Sequence, residues 1–449
     1  MVKFLKNTLS LCPVCLQVIP AEILELQGQI HIKKNCAHHG DFQTLHPWSN
    51  PSHYQAALKM CRTEAQKTTP DGLVININSS CNQHCPFCFA RANEYALSEP
   101  TISQIKHQLS KFKGKVVYLS GGEPTLRKDI FEIIKEVKLL GFKVFLFSNG
   151  KMLADEKFVQ MLKISGIDFV ILQFDTFDDN QMRLLRGEEL SATKINAIKN
   201  LKKYAIPVYL FVMLVKNINT DQIKKILEFT IQNRDCLKIV NFNPVWNMGR
   251  HPRYEPLDAS EILTEVVKSS GLAYEDFFDI SLMSYYLSEI TGKLINNPIA
   301  KYPKCELRCY ITAGKNNKPT PLTQLIDIKK INGYLKKIDS YLVCRYYRKV
   351  FQQIIYLFGF LLKGFLLKSK FRAVALNWLA LFLRLKPAIS DTKIISVIVG
   401  TFHTAFNIDL DFAKTCNLYS DYPDKNRDFS SSCLRQITVM KEFENGISR

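Results

Sequence analysis

Acidic residues are scarce in this chain. Its 449 residues carry 41 Asp and Glu against 60 Lys and Arg, a formal net charge of +19. From Ser340 to Ser390 there are nine Lys or Arg and no acidic residue at all. Such a balance points to an anionic partner, whether nucleic acid, phospholipid headgroups or an acidic carrier protein, and charge alone does not choose. Long hydrophobic runs are also missing. Phe351–Leu362 runs twelve residues without a charge and Val374–Leu383 ten, both short of the roughly eighteen that a membrane-spanning helix needs. No N-terminal apolar stretch ends in small residues, and the thirteen cysteines lack the paired spacing of a secreted disulfide framework. Secretion is therefore not expected. The expected compartment is the reducing cytoplasm, on the inner face of the membrane if the basic region meets lipid. There is no internal repeat and no low-complexity tract.

The cysteines instead come in clusters. Cys81, Cys85 and Cys88 lie in the run Cys-Asn-Gln-His-Cys-Pro-Phe-Cys, directly after Gly72-Leu-Val-Ile-Asn-Ile-Asn78, an alternating run that reads as a strand. Three thiolates on one short loop can hold three irons of a [4Fe–4S] cluster and leave the fourth iron open for chemistry. Zinc is the competing reading, but zinc wants four ligands in paired knuckles, and no close fourth accompanies this triplet. About thirty residues on, a second strand ends in Gly121-Gly-Glu-Pro124.

A second cluster opens the chain. Cys12-Pro-Val-Cys15 and Asn35-Cys-Ala-His-His-Gly40 form two knuckles around a strand at Ile30–Ile32. Cys12, Cys15, Cys36 and His39 make a Cys3His set suited to tetrahedral zinc or to rubredoxin-like iron, with His38 or Cys61 as alternative fourth ligands. A unit of this size needs such a staple to fold.

Alternating strand and helix patterns from 72 to 290 mark parallel βαβ units. The strands are expected at Leu73–Ile77, Val116–Leu119, Lys143–Phe147, Phe169–Gln173, Val208–Val212 and Val240–Pro244. Helices are expected at 130–140, 156–165, 190–203 and 220–232. Ser148 and Asn149 end the third strand. Gln173 and Asp175 end the fourth, where Asp175 is equally suited to ligand contact and to capping a helix. Arg183 and Arg186 follow, Arg186 being the better candidate for a functional contact. Beyond residue 300 a hairpin is expected at Tyr310–Ala313 and Pro321–Ile326, then basic apolar helices suited to a headgroup interface or to packing on the barrel.

Cys-x3-Cys-x2-Cys, with Phe87 before the third cysteine, resembles the radical S-adenosylmethionine (SAM) superfamily. The resemblance implies an α/β fold, a partial (β/α)6 TIM-type barrel. It has a metal-binding ribbon over 1–60, the barrel over 72–290 and an α-rich, cysteine-containing extension over 300–449. It implies that SAM chelates the open iron, and that one electron releases a 5′-deoxyadenosyl radical that abstracts hydrogen from carbon. Gly121, Gly122, Glu123 and Pro124 would hold the SAM amine. Phe87, Ser148, Asn149, Gln173 and Asp175 would line the cofactor. The ribbon motif, Leu172-Gln-Phe-Asp175, Leu185-Arg-Gly187, and Val240-Asn-Phe-Asn-Pro-Val245 with Gly249-Arg250 together resemble the group of archaeal tetraether lipid synthases and related pterin methyltransferases. Asn243 stands where that group typically has Gln, and Ser432-Cys433 lacks its aromatic. The group implies an auxiliary [4Fe–4S] cluster, for which Cys305, Cys309, Cys416 and Cys433 supply four thiols, while Cys236 and Cys344 read as buried core thiols.

The leading expectation is a radical SAM transferase coupling or methylating carbon on a lipid or other apolar substrate, reduced by flavodoxin or ferredoxin and peripheral to a membrane. The alternative is a C-methyltransferase acting on a pterin or peptide. From another class, a basic metal-ribbon nucleic-acid binder is disfavoured, since it needs neither an open triplet nor an amine-binding turn. No nucleic-acid partner is expected.

Overall fold

The computed structural model describes residues 2–60, 72–88, 90–94, 99–245, 250, 254, 255, 257–295, 306–313, 317–367, 394–401, 407–410, 418–420, 430 and 431. Four antiparallel strands open the chain: β1 (Val2–Leu11), β2 (Val18–Leu26), β3 (Gln29–Cys36) and β4 (Gly40–Leu45), hydrogen-bonded in sequence order. Only part of β3 was expected, where Ile30 and Ile32 stand out as apolar. The flanking strands β1, β2 and β4 alternate with charged residues, which weakens their apolar signal.

Helix α1 (Pro51–Leu58) follows, its start fixed by the Asn50 side chain accepting from the Ser52 and His53 amides at 2.9 and 3.3 Å and by Pro51 at the first turn. The main sheet then alternates with helices. Its elements are β5 (Gly72–Asn76), α2 (Ile102–Ser110), β6 (Val116–Ser120), α3 (Ile130–Leu139), β7 (Lys143–Ser148), α4 (Glu156–Ser165), β8 (Phe169–Gln173), α5 (Asp179–Arg186) and α6 (Ser191–Lys203). They continue with β9 (Val208–Leu214), α7 (Ile223–Gln232), β10 (Leu237–Pro244), α8 (Ala259–Ser270) and α9 (Tyr274–Ile295). All six expected strands are present and mutually parallel.

The sheet is wider than six strands. After β11 (Glu306–Ala313), β12 (Pro319–Pro321), α10 (Leu322–Leu325), α11 (Ile328–Val343) and α12 (Tyr347–Leu367) comes β13 (Ile394–Gly400). It lies parallel to β10, with antiparallel β11 and β12 beyond it. At the other edge β14 (Leu418–Ser420) runs parallel to β5 and pairs with β15 (Ser430–Ser431). The hairpin expected near 310–326 pairs β11 with Pro319–Pro321, and residues 322–325 form a helical turn instead of strand. Pro319 and Pro321 lack an amide to donate and sit on this edge strand, where prolines are tolerated.

On the outer face of this sheet Leu73, Val117, Leu146, Val170, Leu210, Val240 and Val397 are fully buried against the helices. The ribbon docks on the same body. The Ala259 amide donates to the Pro47 carbonyl at 3.0 Å, and His53 packs on Tyr274 and Phe278 at ring-centroid distances of 5.0 and 5.7 Å. The Thr8 hydroxyl donates to Asp409 at 2.6 Å, with Lys6 3.1 Å from the same carboxylate.

Of the two cysteines expected in the core, Cys236 is buried and Cys344 is exposed at the end of α11. Helix α11 buries Ile331, Leu335, Ile338 and Leu342 on its other faces, and this leaves the Cys344 position facing water.

Burial pulls the pKa of His53 down from 6.5 to about 4. The folded protein then keeps it neutral while the unfolded chain takes up a proton between pH 6.5 and 4, so stability is lost as pH falls through that window. At pH 5 this group should cost about 2 kcal/mol relative to pH 7. The midpoint of thermal unfolding should drop accordingly, and the drop should shrink in His53→Leu. An unaltered pH slope in that variant would assign the loss to other groups.

Candidate active site and metal centre

The ribbon brings its four expected ligands together. Cys12 and Cys15 sit in the β1–β2 turn and Cys36 at the end of β3, with His39 in the following turn. Their donor atoms all lie within 4.8 Å of one another. Cys36 Sγ is 3.4 Å and Cys12 Sγ 3.7 Å from His39 Nδ1, and Cys15 Sγ is 3.9 Å from Cys36 Sγ. Tetrahedral zinc–thiolate bonds put ligand sulfurs about 3.8 Å apart, so the set fits a single ion. The Val14 amide donates to Cys12 Sγ at 3.4 Å, which favours a thiolate there. Among the described residues no other cluster of three or more His, Cys, Asp or Glu is as compact. His38 is outside the set, and Cys61 lies outside the described residues.

Cys81, Cys85 and Cys88 are carried by the loop after β5, at the carboxyl end of the parallel sheet where such folds place their chemistry. The loop is clamped at both ends. Asn93 accepts from the Cys81 amide and donates to its carbonyl, both at 2.8 Å, and Cys88 exchanges two backbone hydrogen bonds with Arg250 at 2.9 and 3.1 Å. The turn after β6 presses against the same segment. The Gly122 amide donates to the Asn78 carbonyl at 3.0 Å and the Glu123 amide to the Ser80 carbonyl at 2.8 Å. A Cβ on Gly121 would meet Asn78 O at 2.3 Å, and one on Gly122 would meet Ser80 O at 2.3 Å. Gly121 also has φ +146°, which favours glycine.

Glu123 turns inward. Only 1% exposed, its carboxylate accepts from the Thr125 hydroxyl at 2.6 Å, the Ser148 hydroxyl at 3.0 Å and the Asn149 amide at 2.7 Å. Burial raises its pKa, and these donors oppose the rise. Pro124 starts a short helical turn capped by Glu123. The Ser148 hydroxyl is thus held by Glu123, while the Asn149 side chain reaches Asn82 at 2.8 Å and lies 3.9 Å from Cys81 Sγ.

Arg186 stands beside the triplet. Its guanidinium is 3.7 Å from Cys85 Sγ, 2.7 Å from the Asp175 carboxylate and 4.5 Å above the Phe87 ring. Asp175 is fully buried and accepts from the Met213 amide at 2.8 Å and from the Gln173 side chain. It does not cap α5; Asp178 does. Arg183 lies outside on the helix surface with Glu189. Lys194 was not anticipated. Fully buried, it donates to Asn149 O at 2.9 Å and to Gln173 O and Oε1 at 2.7 Å each, while burial pulls its pKa down to about 7. Its position was readable: Lys194 heads the apolar stripe Ala197, Ile198 and Leu201 at helical spacing.

This donor set fits a thiolate-bound anionic cluster. Burial drives the Cys81 thiol up to about 11, so a bound cation is needed to hold the thiolate, and Arg186 and Asn149 aim N–H groups at the sulfurs. Cys309 faces the helix-side core of β11, fully buried, where desolvation raises its pKa well above the ordinary range. That is a setting for a neutral thiol. Cys305, Cys416 and Cys433 lie outside the described residues.

Residues 75–230 match the Radical SAM superfamily, and residues 4–46 match the HMPTM N-terminal zinc ribbon domain. The chain is a radical SAM enzyme. It is 29% identical over 373 residues to the 7,8-dihydro-6-hydroxymethylpterin dimethyltransferase of Methanocaldococcus jannaschii, covering 75% of this chain and 73% of that one. It is 30% identical over 171 residues to the probable GTP 3',8-cyclase of Pyrococcus horikoshii, covering 37% of this chain and 54% of the relative. Among solved structures, Streptococcus suis SuiB bound to S-adenosylmethionine has a TM-score of 0.39 and 20% identity, covering 44% of this chain and 48% of that one. A radical SAM fold implies a [4Fe–4S] cluster and SAM as cofactors.

Cys36→Ser should abolish the ribbon metal, with about one zinc or iron equivalent per chain lost by elemental analysis. Cys85→Ala should keep that equivalent. Retention of the metal in Cys36→Ser would remove Cys36 from the ligand set.

Proposed function

We propose that this enzyme methylates carbon on a pterin-type ring. The observation that supports this most is the M. jannaschii pterin dimethyltransferase, whose similarity runs over three quarters of this chain. A zinc-ribbon match at 4–46 supports the same relationship. The lipid or apolar-chain substrate expected first finds no support among the relatives, so the alternative takes its place.

In this reading Cys81, Cys85 and Cys88 hold the cluster, and the turn at Gly121–Glu123 lies beside them for the amino end of SAM. Cluster and SAM together, when bound, supply one-electron cleavage of a sulfonium and activation of a C–H bond. The chain's part is to hold them. Arg186 keeps a positive charge beside Cys85, Asp175 neutralises it, and Lys194 ties the ends of β7 and β8 through Asn149 and Gln173. The Cys3His ribbon takes zinc, a closed structural site with all four positions filled by protein. Electrons come from a flavodoxin or ferredoxin, whose acidic face suits the basic surface.

Anaerobically reconstituted protein given dithionite, methyl-labelled SAM and 7,8-dihydro-6-hydroxymethylpterin should yield a pterin heavier by one or two labelled methyl groups in mass spectrometry. Cys85→Ala should yield none. Formation of 5′-deoxyadenosine with the pterin unaltered would reject the pterin and keep the enzyme class.

A second reading, contact with an anionic lipid surface, draws on α12. No described helix is long and apolar enough to cross a membrane. Yet α12 exposes Phe351 at 65%, Ile355 at 52% and Phe358 at 63%, one stripe at helical spacing, with Arg348 and Lys349 beside it. The intact chain should co-sediment with phosphatidylglycerol vesicles, and the double variant Phe351→Ser, Phe358→Ser should weaken this at least tenfold. Absence of sedimentation in the parent chain would end this reading.

A further inference from the structure

The inward face of the sheet differs from its outward face. Outward residues are buried almost completely, whereas the inward aromatics Tyr118, Phe145, Phe147, Tyr209 and Phe211 are only half-buried. They form an edge-to-face and tilted series, Tyr118 to Phe145 at 5.2 Å and Tyr209 to Phe211 at 6.3 Å between ring centroids. The inward face is therefore lined with rings that keep part of their surface open to solvent.

Three strands of that face carry polar groups. The register sets Phe211 beside Asn241, Asn241 beside Ile398, and Ile398 beside Arg308, so one row crosses β9, β10, β13 and β11. Gln173 begins the same row next to Phe211, which puts it level with the Lys194 and Asp175 network. Ser396 lies two residues before Ile398 on the same face of β13. Asn241 is 5% exposed and Ser396 6%. The Asn241 amide nitrogen donates to the Tyr209 hydroxyl at 2.7 Å, and that hydroxyl feels the charges of Glu306 and Arg308 across the interior. Asn241 Oδ1, Ser396 Oγ and Arg308 Nε are each buried without a hydrogen-bond partner. Orphaned buried groups of this kind are destabilising and uncommon in native proteins.

We propose that Asn241, Ser396 and Arg308 form a hydrogen-bonding wall that recognises the heteroatom edge of a flat, nitrogen-rich ring held among the inward aromatics. The proposal rests on the pterin reading above and deepens it, by naming residues for the substrate. The chemistry is complementary in detail. Asn241 Oδ1 is an acceptor and selects a ring N–H or an exocyclic amine. Arg308 Nε is a donor and selects a carbonyl or ring nitrogen. Ser396 Oγ serves either. An amino-oxo heterocycle offers both kinds of group along one edge, whereas a hydrocarbon chain offers neither.

The test is equilibrium binding of 7,8-dihydro-6-hydroxymethylpterin to the full reconstituted chain, followed by ligand fluorescence. Asn241→Leu and Arg308→Gln should each weaken binding about tenfold or more, and Ser396→Ala severalfold. Ribbon metal content and circular dichroism check that each variant folds. Ser396→Ala removes one oxygen from a strand and keeps the comparison available where a larger change disturbs the barrel. A ligand-side measurement needs no variant: the lumazine counterpart, with a carbonyl in place of the amine, should bind the parent chain at least tenfold more weakly. Variants that bind the pterin as the parent does, or a parent that binds both rings equally, would overturn the wall and leave the pterin reading standing. A parent that binds no pterin would overturn that reading, and this wall with it.

Discussion

The Asp175–Arg186 pair organises the mouth of the barrel. A fully buried carboxylate is tolerated only with partners, and breaking such a pair by removing one member costs about 3–5 kcal/mol. Asp175 finds its partners on three elements: the Arg186 guanidinium at the end of α5, the Met213 amide on β9 and Gln173 on β8. Arg186 in turn touches Cys85 and covers Phe87, which leaves it little freedom. Strand, helix and cysteine loop therefore have one common geometry in which every charge is satisfied. Gly187 has the positive φ that ends α5 here, and a Cβ on it would approach the His84 carbonyl at 3.1 Å. The position of the cysteine triplet thus follows from interactions inside the barrel and not from the loop alone.

The barrel strands were legible because each alternates with a helix and carries its own apolar pattern. Phe169–Gln173 matches the expected bounds, and the other five differ by a few residues at their ends. What escaped the sequence was the width of the sheet. Ile394–Gly400 is apolar on almost every residue, as a strand buried on both faces must be. It follows a basic apolar stretch, so its boundaries do not stand out, and its partner β10 lies about 150 residues earlier. The same distance effect hides β11, whose pairing with β13 no local pattern announces. In the ribbon, β1 and β2 mix lysine, threonine and glutamate with apolar residues, and the strand signal dissolves where one side of so thin a sheet faces water.

The candidate site divides along the same line. Ligand spacing is local chemistry, so the Cys3His knuckles and the cysteine triplet could be read directly. Roles that depend on where a side chain turns could not. Glu123 sits in a motif whose resemblance implies a contact with the SAM amine, but the sequence does not tell that its carboxylate is held by Thr125, Ser148 and the Asn149 amide while the glycine backbone lies against the cysteine segment. Lys194 looks like a surface lysine by type and a core position by spacing; the structure follows the spacing because three carbonyl-type oxygens await its three donors. Asn241, Ser396 and Arg308 come to share one face of the sheet only through register, which a single sequence does not display.

Interior and exterior make different demands on a ligand. Inside, half-buried rings and three orphaned polar atoms favour a small solute that stacks and hydrogen-bonds at once. A long hydrocarbon would cover the rings but strand the polar atoms, at several kcal/mol in sum. Outside, α12 packs on α11 through Val350, Leu357, Phe360 and Leu361 and turns Phe351 and Phe358 to solvent. Those exposed rings lie on the helix face turned away from α11. An anionic surface met there would therefore bear on where the enzyme sits and leave the choice of substrate to the barrel. Contact at α12 and the proposed methylation in the barrel would be separable properties, and the Asn241 acceptor and Arg308 donor, set in one cross-strand row, suit the heterocycle proposed above.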